Sequence, residues 1–370
     1  MATQHAAEND SNDKANQADT QEDAVGDGRH IDPSLGSLTG EASGQLHDSA
    51  RPHPDREQPP VWQHLPSQAP QPGEGPTYYD RPVIKEPVWI WTVPLYFFVG
   101  GAGGAAAVLG AVAQLFGGDS LRGLVTRCRW LGAFGANLGA VLLIYDLGRP
   151  ARFYNMLRVF RPTSPMSVGS WILIGAGGVM SIAALLTRAR GFWRGVGDAA
   201  GAVSGLFGVG LVGYTGVLLT NSVVPIWSAA QRSLPVLFIT SGMASAAALL
   251  DLMTLNPREA KIVQRFGHVG RVAEMFAAFA FEHDAERVKR VGRPLKEGVS
   301  GQLWKASKLL AVIGLVLGWL PSKVRGQRTV AALCTASGAL LLRYAITQAG
   351  KVSARDPRAT FQQQRFDEES

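Results

Sequence analysis

One aspartate and two arginines crowd the turn Tyr145-Asp146-Leu147-Gly148-Arg149-Pro150-Ala151-Arg152-Phe153, between an apolar run that ends at Tyr145 and another that begins near Trp171. Ionisable residues at the rim of a hydrocarbon-buried bundle are costly unless they are paired or functional. One reading of this turn is an interfacial Asp–Arg clamp that only fixes a loop, worth little if exposed. The other is a ligand site. A quinone needs an apolar slot for its ring and tail and a hydrogen-bonding group at each carbonyl. It also needs an acid nearby, because its reduction consumes protons. Asp146 or Glu274 is suited to be the acid and Tyr145 or Asn137 the donor, with Tyr96, Tyr214, Asn221, Asp251 and Arg343 as further polar groups in or beside apolar runs.

Membrane helices must position these residues. The mean hydropathy of +0.06 averages two unlike parts. Residues 1–80 are polar, rich in Asp, Gln, Ser and Pro, and lack apolar periodicity, so they read as a disordered or extended tail. Met1 to Asp23 carries no basic–apolar leader, and insertion is expected to rely on the first transmembrane helix. Residues 81–350 read as an all-α integral membrane bundle, and 351–370 as a polar C-terminal tail. No residue from Pro87 to Gly118 is charged, enough to cross about 30 Å of hydrocarbon. Trp89 and Trp91 stand at its mouth like an aromatic belt.

Further spans are expected at about Trp130–Tyr145, Met166–Thr187, Ala199–Thr220, Leu234–Leu250, Leu309–Leu320 and Val330–Leu342. His268 to His283 holds Glu274 within an apolar stretch. It reads as a span whose acid faces the bundle interior, the alternative being an amphipathic helix on the membrane surface. The expected total is about eight helices, or seven in that alternative. Small-xxx-small spacings at Gly100/Gly104, Gly135/Gly139 and Gly201/Gly205 predict close helix packing, since lipid supplies no hydrophobic drive between helices.

Several chemistries are excluded. Two cysteines, Cys128 and Cys334, offer neither a disulfide framework nor the four thiolates an iron–sulfur cluster usually takes. Beyond the tail only His268 and His283 remain, fifteen residues apart, which cannot clamp a haem between them. No metal site is expected, and there is no Walker loop, H-E-x-x-H or nucleophile elbow. The net charge of +7 arises in the membrane part, where lipid headgroups account for it and nucleic acid need not be invoked. Loops on both faces are basic, so charge counting does not orient the chain.

The run Asp146-Leu147-Gly148-Arg149-Pro150-x-Arg152-Phe153, with Pro162-Thr163-Ser164-Pro165-Met166-Ser167-Val168-Gly169-Ser170-Trp171, resembles the signature of the NrfD/polysulfide reductase membrane-subunit family. Trp89, Tyr96 and Gly100-Gly101-Ala102-Gly103-Gly104 are similar to that family's first helix, and the resemblance covers roughly residues 85–350. It implies a haem-free, multi-pass subunit of the bacterial inner membrane. Such a subunit passes electrons between the quinone pool (menaquinone or ubiquinone) and a ferredoxin-like iron–sulfur subunit bound to a molybdopterin or multihaem catalytic subunit. On this resemblance Glu86, Trp89, Tyr96, Tyr145, Asp146 and Arg149 would bind quinone. Beyond the resemblance, Asp146 is expected to exchange a proton, Glu274 and Asp251 to conduct protons, and Arg152, Arg158 and Arg161 to form the face that docks the partner. Some family members carry a histidine near the start of the first helix; here the sequence reads Lys85-Glu86-Pro87-Val88-Trp89, leaving Glu86 or Asp146 as the proton donor. A secondary transporter or a purely structural anchor would also show a bundle with buried acids, although a transporter usually shows an inverted repeat, and none is seen.

Overall fold

The computed structural model describes residues 30–32, 37–39, 83–320 and 326–369. The chain divides into two units, Met1–Glu74 and Gly75–Ser370. In the first, two three-residue strands, β1 (His30–Asp32) and β2 (Ser37–Thr39), pair antiparallel with His30 opposite Thr39. The remainder of the expected N-terminal tail lies outside the described residues.

The second unit is helical. Its helices are α1 (Thr92–Phe116), α2 (Arg122–Asp146), the short α3 (Arg152–Leu157), α4 (Pro165–Leu185), α5 (Phe192–Thr220) and the short α6 (Pro225–Ser228). They continue with α7 (Ser233–Asp251), α8 (Pro257–Glu286), the short α9 (Lys289–Gly292), α10 (Gly298–Trp319), α11 (Gln327–Arg355) and α12 (Pro357–Glu369). α1, about 38 Å long at 1.5 Å per residue, packs against α2, α5, α7 and α11. The apolar stretches of α1 and α7 are 72% buried against 44% for α2, α4 and α5, which makes α1 and α7 the central helices.

Glycine brings the backbones together as the sequence predicts. A Cβ on Gly103 would lie 3.0 Å from Gly135 Cα, and one on Gly104 would lie 2.8 Å from the Gly208 carbonyl oxygen. The α1–α2 and α1–α5 crossings therefore depend on the missing side chains. Charged clamps close one end of the bundle. Arg129 of α2 donates to Gln114 of α1 and Asp198 of α5, both at 2.8 Å, and Arg127 of α2 meets the buried Glu259 of α8 at 3.1 Å.

Among the described residues, six helices are long and apolar enough to cross a membrane: α1, α2, α4, α5, α7 and α11, the second and third lengthened by adjoining 3-10 turns. α8 and α10 are long but do not meet that standard, so the expected count of about eight does not follow from length and composition. In α8 the reason is its charge, and the charge is segregated. Arg271 and Glu274 are each 3% exposed, while Val269, Phe276 and Phe279 lie on the outside. The stretch expected at 268–283 begins earlier, at Pro257. An Asn256–Glu259 capping box satisfies the first backbone N–H groups there. Within the stretch 351–370, expected as a polar tail, α11 runs on to Arg355 and α12 spans Pro357–Glu369.

Candidate functional site

The chain leading into α1 is strapped along α11 rather than helical. Arg355 grips the Glu86 carboxylate with two hydrogen bonds, 2.8 and 3.0 Å. Lys351 Nζ donates to the Trp89 carbonyl at 2.6 Å, and Tyr344 donates its hydroxyl to the Trp91 carbonyl at 2.9 Å. Residues 344, 351 and 355 are spaced by seven and four, one face of a helix. They therefore fix the height and heading of the 86–91 segment.

Asp146, the last residue of α2, reaches the same place. Its Oδ1 accepts from the Ile90 backbone N–H at 3.2 Å and from Thr92 Oγ1 at 3.3 Å. The first turn of α1 has no acid of its own, so α2 supplies the negative charge that a helix N-terminus favours. Gly148, at φ +65°, then turns the chain out of α2.

The second half of the signature is a set of local fastenings. Ser164 caps α4, with Pro165 in the first turn. Ser167 Oγ accepts from the Arg161 N–H at 3.0 Å and donates to the Val159 carbonyl at 3.2 Å, pinning the loop before α4. Phe160 meets the Trp171 ring edge-on at 6.2 Å. A Cβ at Gly169 would overlap the Tyr214 ring, so this glycine is what lets the α5 tyrosine lie against α4.

Between these parts lies a cavity of about 60 Å³, lined by Trp89, Tyr96, Phe97, Asp146, Met156, Met166 and Tyr214 among others. Trp89 stacks on Trp227 at 5.5 Å, its ring 15° from parallel, and meets Phe97 edge-on at 6.1 Å. Tyr96 is buried against α2, where a Cβ on Gly139 would come within 2.9 Å of its ring. Neither the Tyr96 nor the Tyr214 hydroxyl makes a hydrogen bond among the described residues, whereas the Ser170 hydroxyl is taken by the Met166 carbonyl at 2.9 Å. The cavity thus offers an aromatic slot, two phenol donors and one carboxylate.

A wider, open depression of about 460 Å³ lies by Lys289, Arg290, Arg293 and Lys296. Arg290, Arg293 and Lys296 are paired with Asp356, Glu297 and Glu286 at 2.7, 2.7 and 3.0 Å, and nothing there encloses an apolar ring.

Of the residues expected at the site, the structure brings Trp89, Tyr96 and Asp146 together. Glu86 lies outside the cavity, held by Arg355. Tyr145 is 65% exposed and does not line the cavity. Arg149 is exposed and forms no ion pair with Asp146 among the described residues; Asp146 turns to α1 instead. Arg152, Arg158 and Arg161 are likewise exposed, without an ion pair among the described residues, around α3. Asp251 and Glu274 stand apart from the cavity. Tyr214 is the residue sequence reasoning placed only among interior polar groups. Its signal was Gly169, a small residue in a fixed motif facing a tyrosine two helices' length away in sequence.

Comparison with known proteins identifies relatives of the chain. A family model described as polysulfide reductase matches residues 77–355. The chain is also similar to Protein NrfD of Escherichia coli strain K12, 27% identical over 321 residues, covering 72% of this chain and 96% of that protein.

Proposed function

The chain belongs to the NrfD-type polysulfide reductase family of membrane subunits, and from that premise we propose that it is the quinone-reactive subunit of a respiratory oxidoreductase in a bacterial inner membrane. Family subunits of this kind work with separate catalytic subunits. Here the partner is an iron–sulfur protein, ferredoxin-like, bound to a molybdopterin or multihaem enzyme. Menaquinone or ubiquinone is the lipid-borne substrate.

The cavity beside Asp146 carries this reading. Trp89 and Phe97 supply flat apolar walls, and the free hydroxyls of Tyr96 and Tyr214 are hydrogen-bond donors for quinone carbonyls. Asp146 is the proton-exchanging group, held in place by its bonds from Ile90 and Thr92. A volume of about 60 Å³ holds about two waters, so a quinone ring enters only as Met156 and Met166 swing aside. Unbranched methionine is suited to that repacking. Arg149, Arg152, Arg158 and Arg161 form the exposed basic rim next to the cavity and steer an acidic face of the iron–sulfur partner onto it.

α8 and α10 complete the bundle as the seventh and eighth spans. Their buried side chains face protein, and Phe276, Phe279, Leu309 and Val316 face outward.

Steady-state turnover of the intact complex with a short-chain quinol tests the assignment. Tyr96→Phe and Tyr214→Phe are each expected to lower kcat/KM about tenfold, the loss of about one hydrogen bond. Unchanged turnover in both variants would overturn the cavity as the quinone site.

A further inference from the structure

Of the aromatic rings that line the cavity, Tyr96 and Phe97 stand on α1 and Tyr214 on α5, but Trp89 is carried by no helix. It belongs to the segment strapped ahead of α1, and its indole N–H forms no hydrogen bond among the described residues. Lys351 fixes the height of its backbone through the carbonyl, at 2.6 Å. That bond leaves the side chain free to turn. A second indole holds the ring. Trp227 stacks on Trp89 at 5.5 Å with the two planes 15° apart, yet does not itself line the cavity.

Trp227 is in turn seated on α11. It is 1% exposed, on the four-residue α6 that joins α5 to α7. Its Nε1 donates to the Ile346 carbonyl at 3.1 Å, and the Ile226 backbone N–H donates to Ser353 Oγ at 3.3 Å. Between these ties the indole lies against bare backbone, where a Cβ at Gly350 would overlap the ring. Residues 346, 350 and 353 are spaced by four and three, one face of a helix. The last turns of α11 therefore set the height of Trp89 directly and the plane of its ring through Trp227.

A buried tryptophan that only fills space needs apolar neighbours and a partner for its N–H. Trp227 has these and two features more. Its depth is fixed by a glycine seat, and its face is laid nearly parallel to a cavity ring that lacks a tether of its own. Trp227 makes no hydrogen bond to Asp146, Tyr96 or Tyr214 among the described residues, so its route to the cavity runs through Trp89.

We propose, on the reading of the cavity as the quinone site, that Trp227 is a positioning residue: it touches no ligand and holds the Trp89 indole as the flat wall on which a quinone ring stacks. A ring held in place before the ligand arrives loses no rotamer freedom on binding. The hold is therefore felt in affinity and not in the electron or proton steps.

The test measures the intact complex in two ways: steady-state turnover of a short-chain quinol, and fluorescence titration with an alkyl-hydroxyquinoline N-oxide, a non-reacting quinol analogue. In Trp227→Leu the KM and the analogue's dissociation constant are each expected to rise about tenfold, the upper worth of an aromatic pair, with kcat within about twofold. Trp227→Phe keeps a ring but loses the bond to Ile346. It gives a rise of about threefold, and decides the matter should the leucine variant fail to assemble. In a Trp89→Ala background both changes at 227 leave the affinity of that background unaltered, because the residue acts through Trp89. Unchanged affinity in the assembled variants, a fall in kcat with affinity intact, or the same loss with and without Trp89 would overturn the assignment. A Trp89→Ala complex that binds the analogue as tightly as the wild type is a different result: it removes the cavity as the quinone site, and the role of Trp227 with it.

Discussion

The two interior polar regions differ in how their charges are satisfied. At the cavity, Asp146 is met by a backbone N–H and a threonine hydroxyl, and the aromatic groups around it are tightly packed. In the α7–α8–α11 row, Asp251, Arg271, Glu274 and Arg343 share one open ion pair, and four of their polar atoms have no hydrogen-bond partner among the described residues. The first arrangement fixes a carboxylate at a defined point beside an apolar slot, as ligand positioning requires. The second leaves its charged groups loosely spaced along a line. One bundle thus satisfies its polar groups in two ways.

The sharpest way to break the contrast is to overfill the cavity side. Gly169→Val forces a side chain into the Tyr214 ring, and overpacking of this kind costs about 1–3 kcal/mol. Quinol turnover is expected to fall about a hundredfold, with the Glu274 row intact; circular dichroism on heating checks that the bundle itself still folds. A smaller effect is expected at the basic rim. Reversing Arg152, Arg158 and Arg161 to glutamate should slow association of the partner subunit about tenfold or more at low salt, with the deficit shrinking as salt screens the field. Binding kinetics at two ionic strengths measure it. Arg355→Gln removes the bidentate hold on Glu86, a partly exposed pair worth up to about 1 kcal/mol. Hydrogen exchange of residues 86–91 should rise several-fold while turnover changes about twofold. The smallest effect belongs to Tyr145→Phe, which should leave quinol turnover within about twofold, because that side chain points away from the cavity. A large loss in this variant would show that adjacent Tyr145, rather than Tyr214, serves the ligand.

Much of the fold was legible because apolar runs and their lengths determine membrane helices. The first span was read from Pro87 but begins at Thr92. The five residues before it are held outside the helix by Lys351 and Tyr344, more than two hundred and fifty residues away, and no local pattern announces such ties. α8 was located through Glu274 and its apolar neighbours, yet its true start was also present as Asn256-Pro257 with Glu259 three residues after the cap. At the site, the short spacing of Asp146 and Arg149 suggested a local pair. The partner Asp146 actually takes lies 56 residues earlier in the chain, at Ile90. Tyr145 is 65% exposed and Asp146 lines the cavity, although the two are adjacent in sequence. Which of them does so is decided by α1, not by the motif.

Photolabelling with an azido-quinone tests the central claim most directly. The intact complex is illuminated with the probe, digested, and its labelled peptides identified by mass. The account predicts label on peptides carrying Met156, Met166 or Tyr214, displaced by excess unlabelled quinone and lost in Gly169→Val. Displaceable label confined to other helices, with these peptides clean, would contradict it.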